Sequence, residues 1–123
     1  MKFGKVMTAM VTPFDAEGKI TEALTTQLVN YLIDNGSDGL IVAGTTGESP
    51  TLSHDEKLDL FSYAIKAAAG RVPIILGTGS NNTAESVSFT KEVADLGADG
   101  VLAVVPYYNK PSQAGIYAHY KAI

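Results

Sequence analysis

Four short apolar runs, at 6–11, 40–43, 74–76 and 101–105, are separated by longer stretches in which apolar residues recur every three or four positions. Continuous runs of Val, Ile and Leu mark strands buried on both faces, as in a parallel sheet, whereas the three-to-four spacing marks amphipathic helices. Leu24, Leu28, Tyr31 and Leu32 form a first stripe, with Gly36 where a left-handed cap belongs. Leu58, Phe61, Ile65 and Ala68 form a second, opened by Ser53 with Glu56 three residues on, a capping-box pattern, and closed by Gly70. Val87, Thr90, Val93 and Ala94 form a third that ends at Gly97, and a fourth helix starts near Ser112 with Ile116, Tyr117, Tyr120 and Ile123 on one side. The predicted order is strand then helix, four times over.

An internal echo reinforces that order. NGSDGLIVAG at 35–44 resembles LGADGVLAVV at 96–105, and in each a Gly-x-Asp-Gly stands between a helix end and a strand start, 61 residues apart. One strand-plus-helix unit takes roughly 30 residues, so the offset corresponds to two units. Four units suit either an open doubly wound sheet or part of a closed barrel. A barrel of eight units needs about 250 residues, so 123 residues make half of one.

Composition narrows the function classes. At 46% hydrophobic and 18% charged, the chain is that of an ordinary globular domain. A net charge of -4 with a single arginine, Arg71, argues against nucleic acid or an acidic membrane as partner, because phosphates need a basic stripe. The absence of cysteine removes disulfides, thiolate nucleophiles and zinc-thiolate sites together. The opening MKFGKVMTAMVTPF is interrupted by Thr8 and Thr12 and runs into Pro13, which reads as a strand entering a turn rather than a secretion signal. With no apolar run of about 18 residues, the expected protein is soluble and cytoplasmic.

In parallel βα architectures ligands bind where strands end, which points to 12–15, 44–51, 77–82 and 106–111. GTTGES at 44–49 lacks the lysine and spacing of a nucleotide-triphosphate loop. Its glycines and adjacent hydroxyls suit a small carboxylate, with Thr45 or Thr46 donating a hydrogen bond or passing a proton; equally, it is a glycine turn whose threonines cap the next helix. GTGSNN at 77–82 starts like a dinucleotide fingerprint, but Asn82 stands where the third glycine belongs. Tyr107 and Tyr108 follow a strand directly and suit either a proton relay or an interface. His54 and His119 lack a metal-ligand pattern, so neither a metal nor a cofactor is expected.

Four stretches together carry a resemblance: AMVTPF at 9–14, GTTGESPTLSHDEK at 44–57, GTGSNNTAES at 77–86 and PYYNKPSQAGIYAHYKAI at 106–123. In that order and over the whole chain they resemble the bacterial dihydrodipicolinate synthases, pyruvate-dependent enzymes of the class I aldolase type in lysine biosynthesis. Sialic acid lyases and ketodeoxygluconate aldolases share the fold and the glycine-rich loop, but Thr46 and the PYYNKPS run look more like the synthase. The resemblance implies an α/β fold, the first four βα units of a TIM (β/α)8 barrel, as one half-barrel domain over residues 1–123. It implies a reaction in which pyruvate forms an imine with a lysine, becomes an enamine and attacks L-aspartate 4-semialdehyde.

Site residues follow by position. Thr45 corresponds to the threonine of a proton relay with two tyrosines, Thr46 to a holder of the pyruvate carboxylate, and Tyr108 to the relay tyrosine that reaches a neighbouring subunit's site. Ser49, Pro50, His54, Lys57, Asn81, Glu85 and Tyr107 match an interface site that binds lysine in some members. Lys57 departs from the lysine-sensitive pattern and sets a cation where a cationic ligand would sit, which weighs against feedback inhibition. The Schiff-base lysine, the second relay tyrosine and the arginine for the second substrate belong to the later half of such barrels. Lys110, in a polar loop where it stays charged, is a poor substitute. The chain alone is therefore expected to be inactive, with pyruvate its possible ligand. Two free strand edges and an apolar inner face lead to the expectation of a homo-oligomer, formed through those edges and the Tyr107/Tyr108 region.

Overall fold

A computed structural model describes residues 3–123; Met1 and Lys2, part of the segment read as preceding a strand rather than as a signal, lie outside the described residues. Strands β1 (Met7–Ala9), β2 (Gly39–Val42), β3 (Ile74–Gly77) and β4 (Gly100–Leu102) alternate with helices α1 (Glu22–Asp34), α2 (His54–Ala68), α3 (Thr83–Val93) and α4 (Gln113–Ala122). The sheet runs β1-β2-β3-β4, every pair parallel. That sequential order contains no reversal, so it is not a doubly wound sheet: each unit steps the same way round, as in a barrel.

The strand starts explain the internal echo. Asp38 Oδ2 accepts from Lys5 N (2.8 Å) and Val6 N (2.9 Å), while Asp38 N donates to Val6 O at 2.8 Å. Asp99 repeats the device: its Oδ2 accepts from Ile74 N at 2.9 Å, and its N donates to Ile74 O at 2.9 Å. Further along, Met10 N donates to Ile41 O and Thr78 N to Leu102 O, both at 3.1 Å. Each aspartate thus clips the start of its strand to the strand before it, and the β1–β2 pair is built again as β3–β4.

Burial follows the layer between sheet and helices. Leu40, Val42, Ile74 and Leu76 pack outward onto Val29 of α1, Leu60, Phe61, Ala64 and Ala68 of α2, and Phe89 and Val93 of α3. The stripe on α1 sits one residue away from the expectation. Thr25 and Val29 are buried and Leu28, Leu32 and Ile33 pack beside them, while Tyr31 is 64% exposed. Tyr31 belongs to the margin of the helix that borders the open β1 edge, so apolar character there does not mean burial. On α4 the buried residue is His119, while Tyr117 and Tyr120 stay exposed. On α3, Ala94 is exposed and starts a short 3-10 turn, and Ser86 and Phe89 join Val93 inside.

The helix caps match the residues that foreshadow them. Ser53 accepts from Glu56 N at 3.2 Å while Glu56 Oε2 accepts from Ser53 N at 2.7 Å, closing the capping box of α2. Hydrogen bonding to Ser53, from its N–H first and then from its hydroxyl, holds the Glu56 carboxyl below the ordinary carboxylate range. Asn82 and Ser112 cap α3 and α4 through Glu85 N and Gly115 N. No helix among the described residues is long and apolar enough to cross a membrane.

Candidate functional site

The loops that leave β2, β3 and β4 converge at the carboxyl ends of the strands around a cleft of about 520 Å³. Their approach depends on two glycines. A Cβ on Gly77 would lie 2.1 Å from Ala43 O, and one on Gly79 would lie 2.5 Å from Val104 N. Backbone meets backbone at both points, so no side chain can yield to make room. GTGSNN therefore carries its glycines for the contact between neighbouring strand ends.

The loop after β2 is a stack of tight turns. Gly47 N donates to Gly44 O (3.0 Å), Glu48 N to Thr45 O (3.0 Å), Ser49 N to Gly44 O (3.4 Å) and Thr51 N to Glu48 O (3.0 Å). Ala43 and Glu48 reach left-handed conformations, with φ of 50° and 59°, to make them. The buried Thr12 hydroxyl donates to Gly47 O at 2.6 Å and ties the loop to the end of β1. A general nest of N–H groups, as the sequence suggests, is thus mostly consumed within the loop. What is left are three successive N–H groups, on Gly44, Thr45 and Thr46, which find no backbone acceptor among the described residues.

Thr45, Ser49, Pro50, Lys57, Asn81, Glu85 and Tyr107 all line the cleft, over an apolar floor that includes Ala43, Leu52, Leu102 and Val104. Residues up to 62 positions apart in the chain, Thr45 to Tyr107, thereby meet on one wall. Ser80 Oγ donates to Glu85 Oε2 at 3.3 Å, and Asn109 Nδ2 donates to Asn81 O at 3.1 Å, coupling the third and fourth loops. The cleft's charges are one cation, Lys57, and one acid, Glu85.

Three expected site residues lie outside that wall. Thr46 is exposed beside the cleft. His54 faces α3, with Nε2 3.1 Å from Glu92 Oε1 and its ring 5.0 Å from that of Phe89. Tyr108 is 92% exposed at φ 69°, its ring projecting from the fourth loop. Among the described residues, Tyr108, Lys110, Ala43 and Glu48 are four of the five non-glycine residues with positive φ, and all four sit at the carboxyl ends of the strands. Such strain gathers where a loop geometry serves a ligand or a partner. The sequence carries no sign of it, because none of these residue types favours that conformation.

Sequential parallel strands with outer helices, and a cleft at the strand carboxyl ends, define a wedge of a TIM-type (βα) barrel with its ligand loops in place. Within that class the chain belongs to the dihydrodipicolinate synthetase family, whose sequence profile matches residues 2–123. The chain is 62% identical to the 4-hydroxy-tetrahydrodipicolinate synthase of Listeria innocua over 125 aligned positions, covering 100% of this chain and 43% of the relative. It superposes on a crystal structure of a Bacillus anthracis dihydrodipicolinate synthase with a TM-score of 0.97 at 56% identity, covering 100% of this chain and 42% of that one. A chloride-inhibited dihydrodipicolinate synthase of Acinetobacter baumannii, complexed with pyruvate, superposes with a TM-score of 0.94 at 43% identity, covering 98% of this chain and 42% of that one. The chain thus spans less than half the length of the relatives it matches.

Proposed function

We propose that the chain carries the first-half contribution to the active site of a synthase that condenses pyruvate with L-aspartate 4-semialdehyde through a lysine imine. The observation that carries this reading is the pair of unengaged N–H groups on Thr45 and Thr46 at the end of β2, beside a cleft of about 520 Å³. Two adjacent N–H donors with two hydroxyls match the two oxygens of a small carboxylate. On this reading Thr46 and the loop hold the pyruvate carboxylate, and Thr45, on the cleft wall, passes a proton. Tyr108 extends away from its own cleft, as a residue that serves a neighbouring subunit must.

The imine itself needs a lysine that can lose its charge. Lys110 is exposed, and Lys57 stands in the first turn of α2 with its ammonium 5.8 Å from the centre of the Phe89 ring. Neither is enclosed at a strand end, so the 123-residue chain binds pyruvate without forming the covalent adduct. The wall of Ser49, Asn81, Glu85 and Tyr107 is the corresponding place for a lysine effector, with His54 turned aside toward Glu92. Lys57, lining the same cleft, opposes a second cation there, which favours insensitivity to lysine.

Borohydride treatment with pyruvate, followed by mass spectrometry, tests the covalent part. No adduct is expected, and a pyruvate-sized mass on any lysine refutes it. Titrating pyruvate while recording amide NMR shifts tests the site: the Thr45 and Thr46 amides are expected to move first. Shifts confined to other loops refute the carboxylate assignment.

A further inference from the structure

The loop after β2 aims its free N–H groups by engaging its carbonyls. A trans peptide holds its C=O and N–H antiparallel in one plane, so a bond that fixes the carbonyl also fixes the N–H on the other side. Gly44 O accepts from Gly47 N at 3.0 Å and from Ser49 N at 3.4 Å, which turns the Thr45 N–H out of the loop's interior. Thr45 O accepts from Glu48 N at 3.0 Å, which turns the Thr46 N–H outward in the same way. That second bond depends on the plane of the Gly47–Glu48 peptide. The carbonyl on the opposite edge of this peptide, Gly47 O, accepts from the Thr12 hydroxyl at 2.6 Å.

We propose that Thr12 is a positioning residue of the carboxylate-binding loop: its hydroxyl fixes the plane of the Gly47–Glu48 peptide and, through Thr45 O, the direction of the Thr46 N–H. Thr12 is 5% exposed and stands outside the cleft wall, so it acts through the loop and touches no ligand. The role rests on the carboxylate reading above and adds what aims the donor.

Three features of the β1–β2 pair support it. Pro13 confines Thr12 to extended backbone and so holds its side chain at the end of β1. Threonine hydroxyls commonly bond their own local backbone; this one reaches a carbonyl 35 residues on. Gly47 lets the loop settle there, since a Cβ on it would lie 3.1 Å from Ala43 Cα and 3.2 Å from Met10 O, lifting the carbonyl away from Thr12. Glu48, finally, is held at φ 59°, a conformation that strains any residue with a Cβ. A flip of the Gly47–Glu48 plane returns Glu48 to negative φ and meets little resistance at a glycine. The flip breaks the bond to Thr45 O and, without the Thr12 donor, nothing on the carbonyl side opposes it.

Thr12→Val keeps the shape and removes the donor. Pyruvate titration by amide NMR, at a temperature where each variant is folded by circular dichroism, is expected to show binding about ten-fold weaker than the parent's, the loss for one misaimed hydrogen bond to a charged group. The Glu48 amide is expected to exchange faster in the same variant, because its bond to Thr45 O goes with the flip. Thr12→Ser restores the donor and should bind within about two-fold of the parent. Thr25→Val is the matched control: Thr25 is a buried threonine of α1 whose hydroxyl also donates to a backbone carbonyl, Thr21 O at 2.9 Å, away from the cleft. Its pyruvate affinity is expected to match the parent's. Parent-like affinity in Thr12→Val, an equal loss in Thr25→Val, or a Thr12→Ser that binds no better than Thr12→Val overturns the positioning role and leaves the carboxylate reading standing. A parent chain whose loop amides do not respond to pyruvate overturns both. Should Thr12→Val fail to fold, Thr12→Cys decides: its thiol donates weakly, so a loss of about three-fold supports the role and parent-like affinity overturns it.

Discussion

Replacing Gly77 by alanine puts a methyl group 2.1 Å from Ala43 O and 2.7 Å from Ala43 C, at the point where β2 and β3 hand over to the cleft loops. No real Cβ tolerates such contacts, and both partners are backbone atoms of a buried residue. To restore about 3.4 Å the two strand ends must separate by more than an ångström, breaking the packing of Leu76 and Val42 beneath them. Overpacking of this kind costs roughly 1–3 kcal/mol, and the rigidity of both partners puts the expected loss at about 2 kcal/mol or more. For a chain of this size that is a fall in Tm of about 8 °C. Gly44→Ala is the matched control: its Cβ meets only the Ile41 and Leu102 side chains, each at 3.6 Å, ordinary contact. That variant is expected to stay within about 0.5 kcal/mol of the parent, because its methyl group fits and alanine restricts the unfolded chain, lowering the entropy lost on folding. Urea denaturation of the three proteins, fitted with a common m-value, gives the comparison, and pyruvate titration should show weakened binding for Gly77→Ala alone. Equal midpoints for Gly77→Ala and Gly44→Ala would refute the claim that backbone contact between strand ends shapes this site.

Phe61→Ala removes a fully buried ring that stacks on Phe89, and is expected to cost about 3–5 kcal/mol, measured by the same denaturation curves. Thr12→Val keeps the shape and leaves the buried Gly47 carbonyl without its donor; a loss of about 1–3 kcal/mol is expected, together with faster hydrogen exchange in residues 44–51. Ser53→Ala should cost about 1 kcal/mol by opening the α2 cap. The pH dependence of that cap has a definite sign. Because the Glu56 carboxyl is held below its ordinary range, its contribution is complete above the unfolded-state pKa and is lost as pH falls through the lowered folded one. Glu56→Gln should flatten the acid limb of the stability curve, and an unchanged limb would count against the capping-box assignment.

Particular residues show how much of this was legible beforehand. Ser53 with Glu56, Ser112 at the start of α4, and the glycines after the helices act locally, over three or four residues, and local rules read them correctly, whereas the Asn82 cap of α3 went unread. The repeated Gly-x-Asp-Gly was visible as an echo, but the role of its aspartates was not, since each bonds a strand start that lies 25 or 32 residues earlier. Tyr31 misled because periodicity marks an apolar face without saying how far round the helix the neighbours reach. Strands read as 6–11 and 101–105 narrow to Met7–Ala9 and Gly100–Leu102, because each has a ladder partner on one side only. The site residues were found mostly through family resemblance. Their gathering into one cleft, with Thr46, His54 and Tyr108 left outside, follows from how the loops cross.

By itself the sequence determined the alternation of strands and helices, their caps, the two-unit repeat and the loops able to carry chemistry. These depend on the order of apolar and polar residues within a few turns of chain, and on glycine, serine and aspartate at fixed offsets. Tertiary structure decided the rest: the β1-β2-β3-β4 order that makes a barrel wedge, the backbone crossings at Gly77 and Gly79, and the unengaged N–H groups of Gly44, Thr45 and Thr46. It also decided that Val6, Val101 and Leu102 remain exposed at strand edges. Each of these depends on which segments lie side by side, and residues far apart in the chain acquire a relation only when the sheet has formed.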